Sequence, residues 1–106
     1  MERKQLEANF NWKIASELTL FKLAMMKKEK EDLIANAYEV ANKIEFYEML
    51  VELSQNMTEE QLYACLQISN LLSALYDSWI KLPDEAYQEK EQMVWELLEN
   101  RNNHAA

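Results

Sequence analysis

An all-α fold follows from three features of the sequence. There is no glycine and a single proline, Pro83, in 106 residues. The helix formers Leu, Met, Ala, Glu, Gln and Lys are plentiful. Apolar residues also recur in steps of three and four along several segments. A β-protein of this length needs glycine at its hairpins and bulges, whereas helices are built from the residues that abound here. The length corresponds to one domain, able to bury about 65% of the surface its unfolded chain exposes. The expected architecture is a compact bundle of four or five helices, short-connected and antiparallel.

The first segment, from about Arg3 to Lys28, carries the stripe Ile14, Leu18, Phe21 and Met25, extended upstream by Phe10. Those steps place all five on one helical face. Lys22, Lys27, Lys28 and Lys30 gather toward its C-terminal end, where cations suit the helix dipole. The second segment, Asp32 to Leu53, has Asp32 as the expected N-cap and a heptad-like seam of Leu33, Ala37, Val40, Ile44, Tyr47 and Val51. Ile34, Tyr38, Ala41, Met49 and Leu50 widen its apolar face, while Glu45, Glu48 and Glu52 share another. Thr58-Glu59-Glu60-Gln61 has the form of a capping box opening a short helix whose Leu62, Cys65 and Leu66 face inward.

Ser69-Asn70 reads as a break and a new cap. The following helix, to about Lys81, presents Leu71, Leu72, Leu75, Tyr76, Trp79 and Ile80 as one dense apolar face. Pro83 stops it, because the residue before a proline avoids helical geometry, and Asp84 can cap the next. The last helix, about Glu85 to Asn100, buries Tyr87, Met93, Val94, Leu97 and Leu98 and runs Glu85, Glu89, Glu96 and Glu99 down its opposite side. The domain thus divides into a basic N-terminal helix (residues 1–30), packed on the bundle or projecting from it, an acidic helical core (31–100) and a tail (101–106) expected to fray for want of an anchor.

The net charge of −8 conceals an asymmetry. Residues 1–30 hold seven Lys/Arg against four Asp/Glu, whereas residues 31–106 hold four against fifteen. An acidic surface is repelled by nucleic acid but attracted to proteins that hold it. Direct DNA binding through the first segment is therefore the weakest reading. A head-to-tail or two-fold dimer would match the basic segment to the acidic remainder.

The stretch Leu33-Ile34-Ala35-Asn36-Ala37-Tyr38-Glu39 is followed by Lys43-Ile44, then Gln61-Leu62-Tyr63-Ala64-Cys65-Leu66, then Asn70-Leu71-Leu72-Ser73-Ala74-Leu75-Tyr76 and Trp79. Over about residues 31–100 this pattern resembles a family of small acidic helical domains in Firmicutes and their phages and mobile elements, known only as a domain of unknown function. The resemblance implies a bacterial or phage context and an anti-defence or accessory role. It brings no catalytic residues.

Catalytic chemistry has little to work with. The lone histidine, His104, lies three residues from the end, and the lone cysteine, Cys65, sits on an apolar helical face as a small core residue. No Cys/His pair has metal-ligand spacing, Glu-x-x-His is missing, and no glycine is present to shape a calcium or phosphate loop. No enzyme, metal or cofactor is expected. A single cysteine, a charged start (Met1-Glu2-Arg3-Lys4) and the lack of a long apolar run point to a cytoplasmic protein away from membranes.

Two readings of the acidic faces stand at this point. They are the solvated sides of amphipathic helices, or they are a phosphate-like array with carboxylates about 5–6 Å apart along each helix. The second reading makes the chain a non-enzymatic inhibitor of anti-CRISPR type that occludes the basic cleft of a nucleic-acid-handling host enzyme. Glu45, Glu48, Glu52, Glu85, Glu89, Glu96 and Glu99 would make the contact, with Trp12 or Trp95, both off their helices' apolar stripes, as anchors. The alternative is a structural homo-oligomer in which the stripe of Ile14 seals a dimer.

Overall fold

A computed structural model describes residues 2–82 and 90–105, with side chains described as far as Glu99. Among these residues there are six helices and no strand: α1 (Arg3–Met26), α2 (Lys30–Ala35), α3 (Ala37–Leu53), α4 (Glu59–Leu66), α5 (Leu71–Ile80) and α6 (Lys90–Ala105). The all-α bundle expected from the sequence is thus what the chain forms. The predicted roles of Pro83, Asp84, Glu85, Tyr87 and Glu89 lie outside the described residues.

With no glycine, every described residue keeps a negative φ. The helices cannot end in the left-handed caps that glycine favours, so they tighten into i→i−3 turns. Lys27 N–H donates to Ala24 O, Asn56 to Leu53 O, Gln67 to Ala64 O and Leu82 to Trp79 O. Where the sequence predicts local caps, they form. Thr58 Oγ1 accepts from Gln61 N–H at 3.1 Å while Gln61 Oε1 accepts from Thr58 N–H at 2.9 Å. Asn70 Oδ1 accepts from Ser73 N–H at 3.2 Å to open α5.

The core centres on α1. Leu6, Phe10, Ile14 and Leu18 follow an i, i+4 ridge and are all buried. Such a ridge drifts around the helix, so α1 meets α4, α3 and α5 in turn. Ile14 is fully enclosed by its own chain, so the expectation that its stripe seals a dimer is corrected: that face is already used. The choice between packing and projecting resolves along the helix. Its first two-thirds are embedded, but from Thr19 to Ala35 only Phe21 and Met25 are partly shielded.

The second segment departs from its predicted form in two ways. It is two helices, which meet at Asn36, where the backbone leaves helical geometry (φ −99°, ψ 8°) while its N–H still reaches Asp32 O at 3.0 Å. Asp32 therefore lies in the first turn of α2, and the N-cap position is Glu29. The predicted seam is also not the buried one. Leu33, Ala37, Ile34, Tyr38 and Ala41 are exposed, and Val40, Ile44, Tyr47 and Val51 only half-buried. The face that enters the core is Lys43, Phe46, Leu50 and Leu53, about one residue or 100° around the helix.

In α5, Leu71, Leu72 and Leu75 are buried as expected, whereas Ile80 is exposed and Trp79 only partly covered. Leu62 and Cys65 of α4 and Met93, Val94 and Leu98 of α6 complete the core. The expected frayed tail is helical in the structure, α6 continuing to Ala105.

Candidate protein-binding surface

The candidate carboxylates that the structure describes lie on α3 and α6. On α6, Trp95 is half-buried against the core. Its indole N–H points back along the helix to Glu91 Oε1 at 3.4 Å, and Gln92 Nε2 donates to Glu96 Oε1 at 3.1 Å. These i, i+4 contacts run up one side of the helix, and Glu91, Gln92, Trp95, Glu96 and Glu99 line a shallow groove there. Glu91 was not singled out from the sequence. The signal was present, a carboxylate one turn before Trp95 on the same face. Glu85 and Glu89 lie outside the described residues.

On α3, Glu45, Glu48 and Glu52 are all exposed and share a face. Glu45 differs from the other two. Its carboxylate is bonded by Lys90 Nζ at 2.6 Å, an ammonium that also lies 4.8 Å from the Trp79 ring centre and 5.6 Å from that of Phe46. Aromatic faces attract a cation, so Lys90 is held from two sides. Lys90 opens α6, so this contact ties the start of α6 to Glu45 of α3. Sequence reasoning treated Glu45 as a solvent-facing carboxylate, but its charge is already answered within the chain. Trp12 does not join this surface. It projects from α1 at 75% exposure and does not line the α6 groove.

A second concavity, of about 270 Å³, lies where α1, α3 and the start of α5 meet, lined by Glu17, Phe21, Lys43, Asn70 and Ser73 among others. Its polar groups are engaged with one another. Lys43 Nζ bonds Glu39 at 2.6 Å, donates to Ser73 Oγ at 3.2 Å and lies 4.0 Å from the Phe21 ring centre. Glu17 accepts from Lys13 and from the Leu72 N–H. Burial, reinforced by the Glu39 carboxylate, holds the neighbouring Tyr76 phenol above its ordinary pKa. The network ties three helices together and engages Glu17, Lys43 and Ser73 with one another or with the chain.

Among the described residues, no three His, Cys, Asp or Glu side chains come close enough to hold a metal, and no helix is long and apolar enough to cross a membrane. Cys65 is buried. No protein-family profile matches the chain, and no curated protein or solved structure matches it.

Proposed function

We propose that the protein is a non-enzymatic binding protein whose acidic helical surface occupies the basic cleft of another protein. In its sharpest form this is an inhibitor, carried by a phage or mobile element, that keeps nucleic acid out of a host enzyme such as a CRISPR nuclease. The observation that carries the reading is the α6 groove, in which Glu91, Glu96 and Glu99 surround a partly exposed Trp95. An aromatic anchor ringed by carboxylates suits a basic protein surface, the ring giving contact area and the charges orientation and fast encounter. The net charge of −8 adds long-range attraction to such a cleft. Glu48 and Glu52 add exposed carboxylates on α3.

The test is capture from a nuclease-treated Firmicutes lysate, followed by competition with duplex DNA. The reading expects retention of a nucleic-acid-handling enzyme that DNA displaces, and loss of retention when Glu91, Glu96 and Glu99 are changed together to Lys. A retained partner indifferent to both DNA and charge reversal, or no such enzyme retained, overturns it.

A further inference from the structure

Besides its buried ridge, α1 carries a second apolar stripe on the opposite side. At 100° per residue, Trp12, Leu20, Leu23 and Met26 fall within about a third of the circumference, diametrically across from Ile14 and Leu18. Their exposures are 75%, 68%, 49% and 77%. A solvent-facing helix ordinarily shows charge there. Four large apolar side chains so exposed present roughly 500 Å², the size of a functional patch and the greater part of the about 800 Å² each partner gives to a standard interface.

We propose that this face pairs with the same face of a second copy of the chain, α1 against α1, antiparallel about a two-fold axis near Thr19 and Leu20. Two features select that occupant. The first is steric. Trp12, Ser16, Thr19, Leu23 and Met26 step four, three, four, three, the spacing of a two-helix seam. Reversed on itself, the series sets Trp12 over Met26 of the second copy at both ends. It also sets Leu23 over the small Ser16 and Thr19 over its own copy beside the axis, so each Leu23 meets a small side chain.

The second feature is electrostatic. Residues 19–28 carry Lys22, Lys27 and Lys28 and no carboxylate. The other end of α1 is fastened to the acidic body: Arg3 Nη2 donates to Ser54 O at 3.1 Å and Gln55 O at 3.2 Å, between exposed Glu52 and the Glu59-Glu60 turn of α4. Antiparallel pairing separates the two lysine ends and turns each toward the body of the other copy, whereas parallel pairing stacks them against one another.

The experiment is sedimentation equilibrium of the full chain over a concentration series, with Leu23→Glu as the variant and far-UV circular dichroism as the control for folding. The expected result is a dimer for the native chain and a monomer of unchanged helicity for Leu23→Glu. Orientation is read with a short bismaleimide, to which buried Cys65 is closed. Thr19→Cys, beside the axis, should cross-link in pairs. Ala8→Cys should not, because its two copies lie about 34 Å apart at 1.5 Å per residue. A native chain monomeric throughout, a Leu23→Glu variant as dimeric as the native chain, or equal cross-linking at both positions overturns the proposal. None of these readouts involves the α6 groove, so the pairing and the acidic-cleft reading fail separately.

Discussion

The carboxylate of Glu17, in the middle of α1, accepts the backbone N–H of Leu72 at 2.9 Å, in the first turn of α5 and 55 residues further along the chain. The first N–H groups of a helix have no partner within it and carry the positive end of its dipole, so a carboxylate there is favourable twice over. Asn70 caps the same turn through Ser73 N–H, and Lys13 pairs with Glu17 from one turn earlier on α1. An interhelical cap of this kind fixes where along α1 the start of α5 docks.

Replacing Glu17 with Ala should therefore cost about 1–2 kcal/mol, the upper part of the range for a lost helix cap. Glu17→Gln keeps an acceptor but loses the charge and should cost less, on the order of 0.5–1 kcal/mol. Urea titration followed by circular dichroism measures both. Equal losses for the two variants would remove the electrostatic part of the argument.

Lys43 is almost wholly enclosed between Glu39, Ser73 and the rings of Phe21 and Tyr76. Truncation to Ala removes a buried stem and its cation–ring contacts together, and should cost about 2–4 kcal/mol. Lys43→Met keeps the volume and leaves Glu39, itself partly exposed, to be hydrated, so a loss of only about 1 kcal/mol is expected. Urea midpoints of the two variants should separate clearly, and coincident midpoints would show that the charge rather than the packing matters.

Tyr76 gives the protein a pH dependence on the alkaline side. Its folded pKa is raised above 10.0 by burial and then by Glu39, so near pH 10 the unfolded chain releases the phenolic proton before the folded one does. The unfolded state then binds fewer protons and stability falls as pH rises. The contribution is complete below pH 10 and is lost as pH climbs from there through the folded value. Comparing native chain and Tyr76→Phe between pH 9 and 11 isolates this group, and the native chain should lose stability more steeply. Parallel slopes would contradict it.

The two faces of α1 should respond in opposite ways to charge. Ile14→Asp places a carboxylate at a fully enclosed site and should abolish cooperative unfolding, since its cost approaches the whole stability of a small domain, about 5–15 kcal/mol. Ile14→Val should cost about 0.5–1.5 kcal/mol. Thermal melts of these two beside Leu23→Glu, whose site is 49% exposed, should leave only Ile14→Asp unfolded.

What the sequence by itself determined is what short-range physics determines. The Thr58–Gln61 box, the Asn70 cap, the Phe10-Ile14-Leu18 ridge and the inward Leu62 and Cys65 are each specified within a few residues, and they form as read. The outward position of Trp12 was legible for the same reason, lying off its own stripe. Tertiary structure decided which of two apolar faces a helix buries. On α1 the ridge read from the sequence is the buried one, but on α3 periodicity alone did not rank the two faces. On α3 the choice went to the face holding Lys43, against the count of apolar residues, because Phe21 and Tyr76 supply rings and Glu39 a carboxylate for that ammonium. Long-range pairing also gave Glu45 to Lys90 and Glu17 to Leu72, and so decided which partners these two carboxylates take within the chain. Helical period is a property of neighbours three and four apart. The partner that satisfies a charge is a property of the packed molecule, because only packing brings residues some fifty positions apart within hydrogen-bond reach.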